Sequence, residues 1–305
     1  MERQREAEFV DRLASWYADN MVEFPWRQSQ DPYHALVGAV CTQQTQMSRA
    51  IETYSRWIEA FPTIADLADA PEEEVLRIWG RSGYPRRAIY LKRAAEVCCS
   101  EYEGVIPCDE LELLSLPGVG PFTAGIVRCF GFGIQTLTVD TNVIRILGRV
   151  FHGDLQPVKE TAIDEIRLIG ETLLGLSEGE QFNAAVMDFG AAVCTSQPRC
   201  TECTFSTEQL CLAADRFLSG EKAATVGDSK PFSGSDRELR GKVLEVLRGQ
   251  RDPVAIEKIT VELRTDLDQD EERFEAILAG LEKDSLIWRS EQRAGLGTID
   301  TGQQK

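Results

Sequence analysis

Cys194, Cys200, Cys203 and Cys211 fall within eighteen residues, spaced C-x5-C-x2-C-x7-C. No other feature restricts the folding of this chain as strongly, because four thiols this close either pair or share a metal. The charged start, MERQREAEF, lacks the apolar core of a secretion signal, which argues against disulfides. Gathered thiolates imply zinc or an iron–sulfur cluster. Zinc sites commonly show two C-x2-C pairs; here there is one, and a single loop with irregular outer spacings fits a [4Fe–4S] cluster better. Such a cluster would fold a loop that has too little core of its own. The other five cysteines, Cys41, Cys98, Cys99, Cys108 and Cys129, sit in apolar or helical contexts and read as small buried residues.

Before this loop, the apolar periodicity is helical almost throughout. It predicts helices over 6–20, 35–61, 72–79, 87–99, 109–115, 121–132, 141–150, 158–174 and 179–192. Pro25, Pro32, Pro62, Pro71, Pro107 and Pro117 punctuate them. Residues 217–235, rich in Gly, Ser, Ala and Lys, read as a linker. Beyond it, helices over 237–248, 256–264 and 270–283 precede Leu286–Arg289 and Thr298–Asp300, which read as a two-strand wing around a loop with Gly295 and Gly297. The expected fold class is all-α, with a small winged-helix-like α+β module at the C-terminal end. Winged helices bind DNA through their third helix. Here the module carries Asp268, Asp270, Glu271, Glu272 and Glu275 where a DNA reader would meet bases, which favours packing or a protein partner over groove reading.

The formal net charge is −17, which argues at first against a phosphate-rich partner. The 33 basic residues are 25 Arg and 8 Lys. An acidic, lysine-poor surface suits a protein working in high salt, where repulsion is screened within roughly 3 Å at 1 M, and it also suits simple solubility. No apolar run reaches membrane-spanning length. The expectation is a cytoplasmic protein.

Leu116-Pro117-Gly118-Val119-Gly120 forms a tight turn ahead of a predicted helix, and Asp140 follows twenty residues past the second glycine. Glycines allow close approach, and a helix start presents unpaired N–H groups and a positive dipole end to an anion. Such a turn can grip a phosphate without reading sequence; it is also a plain way to join two helices. Asp140 reads as an N-cap, and equally as a carboxylate held beside the grip.

The helical chain, the LPGVG hairpin, the spaced aspartate and the four-cysteine loop together resemble the helix-hairpin-helix (HhH-GPD) DNA glycosylase superfamily, related to endonuclease III, over about residues 8–213. Phe24-Pro25-Trp26-Arg27, Asp31-Pro32-Tyr33, Gln43-Gln44-Thr45-Gln46, Gly83-Tyr84-x-x-Arg87-Ala88 and Met187-Asp188-Phe189-Gly190 are similar to the MutY-type adenine glycosylase branch. The resemblance implies two helical lobes. One is a six-helix barrel over 24–135; the other is a cluster lobe of 1–23 and 136–216, holding a [4Fe–4S] cluster on the four cysteines. It implies a monomer acting in base excision repair on double-stranded DNA with a mismatched or damaged base. Gly118 and Gly120 would hold phosphate. Gln43, Gln44 and Tyr84 would fill or wedge the gap left by an extruded base, and Arg87 would contact the backbone. Asp140 would be catalytic, stabilising the oxocarbenium-like sugar, with Asn142 supporting its geometry.

Two positions depart from the pattern. Phe122 stands where endonuclease III-like enzymes with strand-nicking activity place a lysine, so no Schiff base can form there. Ala39 stands where MutY-type enzymes carry the glutamate that protonates adenine, and losing a general acid costs roughly 10²–10⁴ in rate. The motifs therefore imply a monofunctional glycosylase excising adenine opposite G or 8-oxoguanine. Ala39 keeps open a thymine or uracil mismatch glycosylase, or a catalytically impaired mismatch binder.

Overall fold

The architecture comes from a computed structural model, which describes residues 2–156, 163–206, 210–223, 232–263 and 270–298. Two compact units emerge. The first comprises residues 1–36, 108–114 and 119–227; the second comprises 37–107, 115–118 and 228–305.

In the first unit, α1 (Glu2–Asn20), α9 (Thr141–Leu147), α10 (Ile163–Leu174) and α11 (Gly179–Ala192) surround one core. Phe9 and Leu13 of α1 meet Val143, Ile146, Leu173, Val186 and Phe189 there, all essentially excluded from water. Phe9 stacks on Phe205 of the cysteine loop at 4.6 Å, so the loop borrows this core. The predicted helix over 121–132 is α8 (Pro121–Ile126) continued by a π turn, Val127–Gly131. A Cβ on Gly131 would lie 2.6 Å from Pro32 Cα, so only glycine fits. The 141–150 stretch likewise ends in a π turn, Gly148–His152. The start of the predicted 158–174 helix lies outside the described residues. This unit also holds most of α7 (Glu110–Ser115) and, after the cysteine loop, α12 (Ala214–Leu218).

In the second unit, the predicted helix over 35–61 is broken. It is two helices, α2 (Pro32–Thr42, which begins in the first unit) and α3 (Met47–Ala60), with Gln43 and Gln44 in the turn between them. The sequence reading passed over α4 (Ile64–Asp69), although Thr63 and Asp66 form a reciprocal capping box. The helices α5 (Glu72–Trp79) and α6 (Arg86–Glu101) fall close to the predicted spans. Trp57 and Trp79 meet edge to face at 5.5 Å in the interior.

The C-terminal module has α13 (Asp236–Arg248), α14 (Ile256–Glu262) and α15 (Glu271–Lys283). Its sheet has three strands, β1 (Val254–Ala255), β2 (Ile287–Arg289) and β3 (Arg293–Leu296), all antiparallel in the order β1-β3-β2. The wing's second strand is thus 293–296, and Thr298 lies past it; residues 299–300 lie outside the described residues. Gly295 is no loop residue: it pairs with Trp288, and a Cβ there would strike the indole at 2.6 Å. The module is not isolated. Leu76 of α5 and Ile89 of α6 share its core with Leu239, Val243, Leu278 and Leu281. Asp268, among the acidic residues ahead of α15, lies outside the described residues.

The expectation that all five scattered cysteines are buried holds for Cys41, Cys98 and Cys129 but not for Cys99 and Cys108, which are exposed. One step along a helix rotates a side chain by about 100°, so Cys99 of α6 faces away from the core that takes Cys98.

Candidate active site

Asp140 caps α9 from an extended backbone. One carboxylate oxygen accepts from the Asn142 and Val143 backbone N–H groups, each at 2.8 Å; the other accepts from the Asn142 side-chain amide at 2.8 Å. Three donors fix the carboxylate's plane while lone pairs remain for a further partner. Burial raises the Asp140 pKa above the usual aspartate value, and the hydrogen bonds and the nearby Arg145 charge act in the opposite direction.

Asn142 is itself held. Its carbonyl oxygen accepts from Arg145 at 2.6 Å. Arg145 also donates to the Gly190 carbonyl at 2.8 Å and to the Cys194 carbonyl at 2.6 Å. A Cβ on Gly190 would lie 2.6 Å from Asn142 Cβ, which accounts for the glycine of Met187-Asp188-Phe189-Gly190. The segment entering Asp140 is fixed by Asn183 of α11. Its side-chain oxygen accepts from both Thr138 N and Thr138 Oγ1 at 2.8 Å, and its amide donates to Thr136 O at 2.9 Å.

Asp188 binds Arg27 in a two-pronged ion pair at 2.8 and 2.9 Å, with both side chains largely buried. The ring of Phe24 stacks on Trp26 at 5.1 Å and lies under the Arg27 guanidinium at 4.8 Å. The Phe24–Arg27 and Met187–Gly190 motifs therefore clasp one another inside the first unit.

The four clustered cysteines line one cavity with Ile146, Val150, Phe189 and Phe205. Buried Arg149 donates to Cys194 Sγ at 3.4 Å and to the carbonyls of Thr195 and Ser196; the Phe205 N–H donates to Cys203 Sγ at 3.4 Å. Burial pushes the Cys203 thiol up to about 11 and the Cys211 thiol up to about 12, and the neighbouring cysteines push the same way. With pKa values raised this far these cysteines are neutral thiols, and holding them together as thiolates would take a bound cation. Among the described residues, no group of three or more His, Cys, Asp or Glu side chains is placed to hold a metal ion.

In the hairpin, Gly118 has φ +77°, and a Cβ there would sit 2.6 Å from Tyr90 Cβ, so no other residue fits. Gly120 precedes Pro121, the first residue of α8, and a Cβ on it would meet nothing within 4 Å. Its glycine leaves space outside the turn rather than inside it. Phe122 lies in the first turn of α8, half-buried.

In the second unit, Gln44 (φ +50°) and Tyr84 (φ +45°) both occupy the left-handed region, which costs a non-glycine residue about 1–3 kcal/mol. Both are exposed, and Gln43 is half-buried. Their turns are joined by Arg87. Its guanidinium donates to Val40 O, Gln43 O and Thr45 Oγ1 on one side, and to Ser82 O and Gly83 O on the other, at 2.6–3.2 Å. It also stacks between Trp79 and Tyr84, 5.1 and 5.5 Å from their rings. Ala39 is buried in α2 and offers no ionisable group.

Sequence reasoning gave no role to Arg145, Arg149 or Asn183, nor to the Arg27–Asp188 pair. Their side chains are long or amide-bearing, but nothing local marks their partners.

Residues 37–169 match the model of the HhH-GPD superfamily of base excision DNA repair proteins. The adenine DNA glycosylase of Mycolicibacterium smegmatis is 37% identical over 268 residues, 87% of this chain and 89% of that one. This chain belongs to the HhH-GPD superfamily, in its MutY-type branch. The adenine DNA glycosylase of Mycobacterium tuberculosis is 32% identical over 285 residues, 91% of this chain and 90% of that one. A thermostable thymine-DNA glycosylase has the same fold, with a TM-score of 0.65 and 27% identity over 70% of this chain and 99% of that one. As a member of this superfamily the chain is a DNA glycosylase of base excision repair, and DNA is its substrate. Among the described residues, no helix is long and apolar enough to cross a membrane.

Proposed function

We propose that the chain releases mispaired adenine, opposite G or 8-oxoguanine, from double-stranded DNA without nicking the strand, and that Asp140 is its catalytic carboxylate. The observation that carries this reading is the orientation of Asp140: two backbone N–H groups and the Asn142 amide hold its carboxylate ahead of α9. A carboxylate fixed before the reaction begins stabilises an oxocarbenium-like sugar without reorganising, the largest single advantage an enzyme has over water. Phe122 supplies no amine for a Schiff base.

Gly118 and Gly120 give the hairpin its phosphate grip. Gln43, Gln44 and Tyr84 fill the duplex where the base leaves it; their strained turns support this role, since such strain gathers at functional sites. Arg87 acts on DNA through the two turns it braces. Cys194, Cys200, Cys203 and Cys211 would hold a [4Fe–4S] cluster, and their shared apolar cavity with a buried arginine fits that group. When bound, the cluster ties the loop to the core of the first unit. The protein works as a cytoplasmic monomer, and the acidic start of α15 offers a surface to a basic protein partner.

One observation favours a second reading. Ala39 lacks the acid that adenine needs as a leaving group, and a thymine-DNA glycosylase shares the fold. Thymine and uracil leave as stabilised anions and need that acid less.

The test is to incubate the protein with duplexes carrying A·G, A·8-oxoguanine, T·G and U·G, then treat with hot alkali. Cleavage at adenine, abolished by Asp140→Asn, is the expected result. Cleavage at the pyrimidine alone overturns the adenine reading, and tight mismatch binding without cleavage of any duplex indicates a non-catalytic binder.

A further inference from the structure

The C-terminal module and the Gly83–Tyr84 turn enclose a groove of about 760 Å³ within the second unit. Its walls come from the start of α6, from α13 and from the end of α15. Six cationic side chains, Arg81, Arg86, Arg237, Arg240, Lys242 and Arg248, line it against three carboxylates, Glu238, Glu245 and Asp284. In a chain of net charge −17 such a local excess of cations is unexpected.

The pairing leaves positive charge in place. Glu245 lies between Arg81 at 2.8 Å and Arg248 at 3.7 Å. Asp284 lies between Arg86 at 3.3 Å and Arg240. Each of these carboxylates therefore balances one of the two guanidiniums beside it. Arg81 and Arg86 have side chains 79% and 52% exposed. Water screens exposed pairs of this kind and holds them only weakly, so a phosphate can replace the carboxylate at little cost. Two exposed aromatic rings, Tyr84 and Phe232, stand on the same groove and offer flat faces to bases or sugars.

We propose that this groove is a DNA-binding surface, in which Arg81, Arg86 and Arg237 contact backbone phosphates and Phe232 packs on an adjoining nucleoside. The inference rests on DNA being the substrate, and it deepens the role of the Tyr84 turn. The module is thereby part of the substrate platform: its core is shared with Leu76 and Ile89, so the groove is built by packing and not by a flexible tether. The excess of guanidiniums favours a phosphate-bearing occupant, and the apolar stretches between them, with Tyr84 and Phe232, suit its bases and sugars.

The test is fluorescence anisotropy with a labelled A·G duplex, in an Asp140→Asn background that does not consume it, across 50–200 mM salt. Arg81→Gln with Arg237→Gln should weaken binding and lower the slope of log K against log salt by about 0.9 for each phosphate no longer neutralised. Arg81→Lys with Arg237→Lys should keep the slope, because charge and not packing sets it. Phe232→Ala should lower affinity with the slope unchanged. Affinity and slope equal to the parent's in the glutamine variant overturn the proposal, and point to an acidic protein segment as occupant. Excision by the parent, Asp140-containing chain is scored separately. A chain that excises nothing yet binds through these arginines loses its catalytic reading and keeps the groove.

Discussion

Arg145 donates to Asn142 Oδ1 at 2.6 Å and to the carbonyl of Cys194 at 2.6 Å. One guanidinium therefore links the first cysteine of the loop to the residue that orients Asp140. The cysteine loop and the Asp140 carboxylate form one hydrogen-bonded assembly within the first unit.

Replacing Arg145 by glutamine removes charge-assisted bonds to Cys194 O, Gly190 O and Asn142. Each is worth about 1.5–3 kcal/mol. Base excision should fall by at least about tenfold in single turnover, and the melting temperature should drop by several degrees. Unchanged excision would show that the Asn142 amide is oriented without Arg145.

The pH profile has a defined sign. In the proposed mechanism the ionised form of Asp140 is the one that would face a positive sugar. Burial raises its pKa, so the carboxylate is charged at high pH and its charge is lost as pH falls through a value above the usual aspartate range. The acid limb of the excision rate should lie above that range. Arg145 lowers the Asp140 pKa, so Arg145→Gln should move the limb to still higher pH. A limb that stays put in the variant would separate the two residues.

Gly118→Ala should destabilise the second unit. It combines a φ of +77° with an approach of 2.6 Å to Tyr90 Cβ. Strain and overpacking each cost about 1–3 kcal/mol. Thermal unfolding and DNA affinity both report it. Gly120→Ala, which meets nothing within 4 Å, should melt like the parent; under the proposed phosphate grip its methyl would take up space the DNA backbone needs, and binding should weaken.

With the proposed [4Fe–4S] cluster in place the purified protein should be brown, and Cys203→Ser should abolish that absorption and lower the melting temperature. Phe205, which neighbours it in the loop, belongs to the core of the first unit, so loss of the loop reaches Phe9 and Phe189. A colourless parent protein that contains stoichiometric zinc would replace the cluster with a different metal.

Phe122→Lys places an amine in the first turn of α8, in the same unit as Asp140. The expected gain is a strand-nicking product and a borohydride-trapped protein–DNA adduct. Its absence would mean that the side chain at this position does not reach the sugar.

Much of the fold was legible because helices are local. The apolar stripe of α5 placed Glu72–Trp79 without reference to anything distant, and Asp140 could be read as a cap from its place before α9. The short α4 was equally local, carried by Thr63 and Asp66, and was passed over only because its apolar stripe is brief. The wing was harder. Gly295 looks like a loop residue until Trp288 is seen lying across it.

Residue order alone was enough for most of the helical framework, the hairpin glycines, the four-cysteine loop and the aspartate ahead of α9. These depend on spacings of two to twenty residues, where backbone geometry leaves few choices. What the long polar side chains do emerged only from packing. Arg27 finds Asp188 across 161 positions, Arg145 finds Cys194 across 49, and Arg87 braces two turns instead of facing solvent. An arginine has several rotatable bonds and five donors, so its partners follow from which distant carbonyls and carboxylates the packed core brings within reach.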